Sequence, residues 1–500
     1  MSQPIKLAIL GGGTAGWMAA NLFAHNWPKD KVQISLIESP DIGIIGVGEG
    51  STPTLKRFFE MLAIPESQWM PKCDATYKVN IEFAGWSPQS GIKAYSHPFI
   101  SQVDTFNERA FTVNCRTRRH GLDTVTTPEK FLLNGLLAKQ GKGPLTPESF
   151  PFQMEYGYHF DSGKLGIYLS EVAKSKGVEH LQEKVMAVAQ HQNGDIKSLH
   201  CESGRTIDAD FFVDCTGFSG FLIQKTLGAK FKSFNDNLFN DAAVVMPTPI
   251  DDTIPVETKA TALSTGWCWK IPLTTRFGNG YVYSSQYLDK YAAEQEFRSH
   301  IGMLDSDIEC RHLSMRVGQL EQHWHRNCLA LGLSQGFIEP LEATALHLVQ
   351  VSIEMFINAW ETGKFSNHNC QQYNQSITER FERVRDYIVA HYKLNTRDDS
   401  DYWRVNRDNQ HLSESLQQIL NVWYQRGELD KEIKRQELSS HFNNFSWHCL
   451  FSGYGAYPAL AANQPGKGDL YLEQNIERFL NGCSLNFSSH RENLDSLHAN

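Results

Sequence analysis

Two short segments hold the residue types with the most chemistry in this 500-residue chain. Gly11-Gly12-Gly13-Thr14-Ala15-Gly16 is a G-x-G-x-x-G loop, the pattern that cradles a dinucleotide pyrophosphate. Gly11 permits the tight turn, Gly13 lets backbone approach the anion, and Gly16 lets a helix pack closely. The N-terminus of the helix that follows offers its unpaired N–H groups to the phosphates. Glu38, twenty-two residues after Gly16, is placed to accept hydrogen bonds from ribose hydroxyls. The second segment, Gly266-Trp267-Cys268-Trp269-Lys270-Ile271-Pro272, spaces two tryptophans one residue apart. On a strand both fall on one face, either as core or as a wall beside a cofactor.

Elements of matching length must position these groups. Residues 5–10 read as a short buried strand, 17–23 as the helix after the loop, and 32–37 as a second strand ending at Glu38. Residues 209–217 read as the strand and turn by which FAD-dependent monooxygenase-type folds return to the nucleotide, with Asp214 and Gly217 at its end. FAD is therefore favoured over NAD. The chain holds one such fingerprint, which argues against a separate nicotinamide domain and implies that reducing equivalents arrive from elsewhere. The fold class is α/β: an FAD-binding Rossmann-type, flavin monooxygenase-like domain with a mainly helical C-terminal substrate region.

Positions 1 to about 350 are assigned to the FAD-binding core, with an aromatic-rich substrate insertion near 90–160, and 351–500 to the helical region. Residues 379–388 have helical periodicity with mixed charge, residues 453–458 break regular structure, and the polar stretch after about 485 is expected to fray. Arg383, Arg385 and Arg397 read as helix-face charge.

Composition narrows the function classes. A net charge of -9 without a basic stripe speaks against nucleic acid, and no apolar run reaches the length of a membrane span. No signal-peptide pattern is visible, so a cytoplasmic protein is expected. The ten cysteines form no CxxC pair, which points to reduced structural thiols rather than to a metal site or a disulfide framework.

The residues also carry a specific resemblance. The glycine box, the loop Ile45-Gly46-Val47-Gly48-Glu49-Gly50-Ser51-Thr52-Pro53, the lysine in Ala75-Thr76-Tyr77-Lys78-Val79, the W-x-W-x-I-P motif and Gly336-Phe337-Ile338-Glu339-Pro340-Leu341-Glu342-Ala343-Thr344 occur in order. With these the chain resembles the flavin-dependent tryptophan halogenases, from the N-terminus to about residue 350 and more loosely beyond. The resemblance implies FAD as FADH2, bound by Gly11, Gly13, Thr14, Ala15, Gly16, Glu38, Val47, Gly48, Glu49, Val185, Asp214, Gly217, Gly332 and Ile338. It also implies chloride or bromide, held by the backbone amides of Thr344 and Ala345, and a separate NAD(P)H-dependent flavin reductase as the source of reducing equivalents.

The implied chemistry is formation of hypohalous acid beside the flavin and its use at a second place. Trp267 and Trp269 would keep the organic substrate off the flavin. Lys78 would hydrogen-bond the hypohalous acid or form a haloamine, in a low-dielectric site where a lysine pKa falls. Glu342 would polarise the oxidant or take the ring proton. His97, Phe99 and Trp447 would enclose an indole-type ring: tryptophan, indole or a derivative. Glu339 reads as structural. The sequence departs from the family pattern at Ala343 and Ala345, where serine and glycine are commoner. A left-handed residue at position 345 would strain an alanine, which bears on halide affinity. The alternatives are an aromatic hydroxylase on the same fold and a flavin-binding protein without turnover. A homodimer is compatible with the reading.

Overall fold

A computed structural model describes residues 3–41, 48–438 and 442–497. The chain divides into two compact units, each assembled from three stretches: Met1–Asp74, Phe160–Asn235 and Met315–Glu382 form the first, and Ala75–His159, Asp236–Ser314 and Arg383–Asn500 the second. The single boundary expected at residue 350 is therefore not where the molecule divides. The strands of the first unit come from sequence-distant stretches, and two of the connections between them, with the C-terminal stretch, make up the second.

In the first unit six strands lie in the order Trp324–His325, Cys328–Ala330, Phe211–Asp214, Ile5–Leu10, Val32–Glu38, Glu179–Gln182. Five are parallel and the edge strand Trp324–His325 is antiparallel. Ala8, Ile9, Phe212, Val213, Leu36 and Leu329 are fully buried, as a sheet covered on both faces requires. The glycine loop leads into the helix Thr14–Asn26, as expected. The helix Ala345–Thr362 belongs to this unit because its Phe356 packs on Phe23 (5.9 Å between ring centroids) and its Trp360 on Trp27 (5.2 Å).

The second unit holds a seven-stranded sheet in the order Arg311–Ser314, Ala242–Pro249, Arg276–Tyr283, Gly266–Pro272, Glu257–Leu263, Asn80–Ser87, Ile92–Ser96. The tryptophan strand Gly266–Pro272 lies near its centre, flanked by Arg276–Tyr283 and Glu257–Leu263. Beside the sheet the three-residue strand Thr76–Lys78 pairs antiparallel with residues 157–159, and Val79 N donates to Val256 O at 2.9 Å. From residue 345 onward the described chain is helical between its loops, and the helical expectation for 379–388 falls within Cys370–Leu394.

Two expectations are corrected here. The segment after 485 does not fray throughout: Ser489 and Glu492 close a capping box on the helix His490–Ser496, and His490 is buried. Arg385 and Arg397 are not helix-face charges. Arg385 forms a buried pair with Asp386 at 2.7 Å, while Arg397 lies beyond the helix and donates to the carbonyls of Gly85 (2.8 Å) and Ala262 (3.1 Å). No helix among the described residues is long and apolar enough to cross a membrane.

Candidate active site

The nucleotide cradle sits where the parallel sheet reverses its strand order, at the carboxyl ends of Ile5–Leu10, Val32–Glu38 and Phe211–Asp214. Close approach explains three of the four glycines of the loop. A Cβ on Gly11 (φ +118°) would come 2.2 Å from the Cys215 carbonyl oxygen, one on Gly16 would come 2.0 Å from the Gly11 carbonyl oxygen, and one on Gly12 would come 1.5 Å from Glu38 Oε2. A Cβ on Gly13 meets nothing within 4 Å. Three glycines are thus demanded by the protein itself, whereas Gly13 faces open space at the start of a helix whose first amides lack internal acceptors.

Of the remaining nucleotide candidates, Glu38, Gly332 and Glu49 are linked to this loop through Gly12, Ala15 and Thr14. Glu38 is hydrogen-bonded to His180 Nε2 at 2.7 Å. Asp214 is buried and accepts from the Thr216 amide and hydroxyl and from the amides of Leu222 and Ile223, so its carboxylate shapes the turn that contains Gly217. Gly217 is left-handed (φ +66°) and open on its Cβ side. A Cβ on Gly332 would come 2.8 Å from that of Ala15. Thr14 Oγ1 donates to the Ser162 carbonyl, and Ser162 hydrogen-bonds Glu49, whose carboxyl is pushed up to about 7 by burial. Val185 packs against the core cluster that includes Leu10 and Ile37, and Ile338 is buried. Gly48 starts the short strand Gly48–Gly50, while Val47 lies outside the described residues.

Glu339, Glu342 and Thr344 are buried in the turn that leads to the helix Ala345–Thr362. Thr344 is the N-cap and Ala345 the first helical residue, so their amides fall among the first-turn donors that a helix leaves free for an anion. The strained position is Ala343, at φ +55°, and not Ala345. Left-handed geometry falls one residue before the cap because the turn must reverse there before helical dihedrals begin.

In the second unit Lys78 is fully buried, and its Nζ stands 5.6 Å from the centroid of the Phe99 ring, a cation–π placement. Asn134 Nδ2 holds the Phe99 carbonyl at 2.7 Å. His97 Nε2 is hydrogen-bonded to Ser446 Oγ at 3.0 Å, next to Trp447, and both His97 and Trp447 lie against Tyr387, at 6.2 and 4.9 Å between centroids. The structure thus brings Lys78, Phe99, His97 and Trp447 into one unit.

Trp267 and Trp269 stand on one face of their strand with centroids 6.0 Å apart, both buried. The residues paired with them are small. Ala262 and Ala260 lie opposite on one side, and Gly280 lies opposite Trp269 on the other. Two histidines invisible to motif reading border the Lys78 strand. His159 lies between the hydroxyls of Thr76 (3.1 Å to Nδ1) and Thr258 (2.9 Å to Nε2). His490 Nε2 accepts from the Tyr77 amide at 3.2 Å and its Nδ1 faces the Ile254 carbonyl at 2.9 Å. Burial lowers the pKa of His159 well below the usual histidine range, with the charge of Lys78 adding to the effect, and lowers that of His490 to about 4. Neither residue lies near position 78 in sequence, so no spacing signal marks them.

A parallel α/β sheet with this loop at its switch point defines a dinucleotide-binding enzyme core. Residues 6–465 match the tryptophan halogenase family. The chain is 36% identical over 427 residues to the tryptophan 6-halogenase SttH of Streptomyces toxytricini, with 80% of each chain covered. It is 34% identical over 481 residues to the 7-chloro-L-tryptophan 6-halogenase KtzR of Kutzneria sp. (strain 744), covering 91% of this chain and 92% of that one. The crystal structure of SttH superposes with a TM-score of 0.85 at 31% identity, covering 98% of this chain and 99% of the other. The chain belongs to the tryptophan halogenase family, and with it to the flavin-dependent halogenases.

Proposed function

We propose that the enzyme uses reduced FAD, oxygen and chloride or bromide to halogenate the indole ring of tryptophan, or of a close indole relative, beside Lys78. The buried Lys78 ammonium, 5.6 Å from the centroid of the Phe99 ring, carries this reading, because it sets a hydrogen-bond donor beside an aromatic residue suited to stack on an indole. The open Gly13 cradle and the Glu38 carboxylate fit a dinucleotide, and Gly11, Thr14, Ala15, Gly16, Gly48, Glu49, Val185, Asp214, Gly217, Gly332 and Ile338 are proposed with them as its surroundings. Bound as FADH2, the flavin supplies with oxygen the two-electron oxidant that turns halide into hypohalous acid.

The protein's own residues then divide the work. The amides of Thr344 and Ala345 hold the halide. Trp267 and Trp269 would keep the organic substrate off the flavin, which favours halogenation over hydroxylation. Lys78 donates a hydrogen bond to hypohalous acid and so makes its halogen more electrophilic. Glu342 accepts the proton released when the ring regains aromaticity. His97, Phe99 and Trp447 orient the ring, and the carbon held nearest Lys78 reacts. Reduced flavin comes from a separate NAD(P)H-dependent reductase in the cytoplasm, and a homodimer is part of the proposal.

Mass spectrometry of tryptophan and indole incubated with enzyme, a flavin reductase system, oxygen and bromide or chloride tests it. A halogen isotope pattern that disappears in Lys78→Ala is the expected result. A gain of one oxygen would identify a hydroxylase instead, and retained halogenation in Lys78→Ala would remove Lys78 from the mechanism.

A further inference from the structure

The strand that carries Lys78 is three residues long, which is too little ladder to hold a buried ammonium in one place. Side chains add to its fixation. Thr76 Oγ1 donates to the carbonyl of Pro272 at 2.8 Å, and that hydroxyl has one proton. Its contact with His159 Nδ1 at 3.1 Å must therefore be one in which the imidazole donates. Nε2 is then the acceptor and takes the proton of Thr258 Oγ1 at 2.9 Å. The tautomer is assigned by these partners, and both ring nitrogens are in use.

The two groups this histidine connects, Thr76 and Thr258, belong to two parts of the proposed chemistry, the lysine strand and the tryptophan face. Thr76 and Lys78 lie on the same face of their strand, and His159 is the cross-strand partner of Thr76. Gly157, opposite Lys78, has no side chain and leaves room for the lysine. Pro272 closes the tryptophan strand. Thr258 lies two and four residues before Ala260 and Ala262, the partners of Trp269 and Trp267, and so shares their face. One hydrogen-bonded chain, from Thr258 through His159 and Thr76 to Pro272, therefore locks the lysine strand to the face that carries both tryptophans.

The geometry points to His159 as a positioning residue for the halogenation step: a neutral imidazole that fixes Lys78 relative to the tryptophan strand, so that hypohalous acid is captured rather than lost. This rests on the role proposed for Lys78. Burial and the nearby ammonium both disfavour a second proton on the ring, consistent with its holding as a neutral donor and acceptor.

The test compares two products of the full enzyme under turnover with bromide: halogenated indole substrate, and free hypohalous acid caught by a diffusible trap such as monochlorodimedone. His159→Leu removes donor and acceptor; His159→Gln keeps one of each. The expected result is a fall of at least about tenfold in the ratio of halogenated substrate to trapped oxidant for His159→Leu, with FAD binding unchanged, and recovery to within about threefold of wild type for His159→Gln. A merely structural loss would lower both products together and leave the ratio alone, which would overturn the proposal. Equal ratios in the Leu and Gln variants would also overturn it. If His159→Leu does not bind FAD, Thr76→Val decides, because it cuts the link to Pro272 with little change of volume: a lowered ratio supports the proposal and a wild-type ratio rejects it. Lys78→Ala separates the two readings. Loss of halogenation there with wild-type ratios in the His159 and Thr76 variants rejects this inference alone, and retained halogenation there rejects the role of Lys78.

Discussion

The indole of Trp269 lies across the α-carbon of Gly280: a Cβ built on that glycine would come 2.2 Å from Cζ2 and 2.3 Å from Cη2 of the ring. The tryptophan is held flat by the absence of a side chain on the next strand. Gly280→Val should push the ring off its place, cost about 1–3 kcal/mol in a urea melt, and raise hydroxylated or oxidised by-product relative to halogenated product. A variant that is destabilised but keeps the wild-type product distribution would show that Trp269 is core and nothing more.

The nucleotide loop gives a prediction in which stability and binding separate. Gly13→Val meets no protein atom at its Cβ, so its Tm should stay within about 2 °C of wild type while FAD affinity, read by flavin fluorescence, falls at least about tenfold. Gly16→Ala meets the Gly11 carbonyl oxygen at 2.0 Å and should lower both. Unchanged FAD affinity in Gly13→Val would move the pyrophosphate elsewhere.

Ala343 sits at φ +55°, where a Cβ costs about 1–2 kcal/mol. Part of that is offset by the greater freedom of glycine in the unfolded chain, so Ala343→Gly should stabilise the protein by about 0.5–1 kcal/mol in chemical denaturation. The same substitution at Ala345, the first residue of a helix, brings no such gain. A destabilised Ala343→Gly would mean that the turn is not strained.

His490 is buried as a neutral ring with its pKa lowered to about 4, against an ordinary value near 6.5. Between these values the unfolded chain binds the proton and the folded one does not, so this group makes stability rise with pH from about 4 to 6.5 and is lost as the solution is acidified. His490→Gln removes that dependence. The Tm deficit of the variant at pH 7.5 should shrink by a few degrees at pH 5, as read by calorimetry, and a deficit constant with pH would contradict the neutral assignment.

Local chemistry fixed much of this protein in its sequence. The glycine loop, its strand and helix, and Glu38 all lie within 38 residues, where short-range rules for turns, helix ends and ribose recognition act on adjacent residues. The two-residue period of a strand likewise put Trp267 and Trp269 on one face before any coordinates were known. What the sequence left open was decided over distance. Whether Lys78 faced solvent or core depended on strands contributed by residues 157–159 and 256–258 and on a helix beginning at His490. The tautomer of His159 depended on a carbonyl at position 272. Long-range partners are chosen by which buried donors and acceptors can be satisfied together, and that choice leaves no periodic trace in the chain.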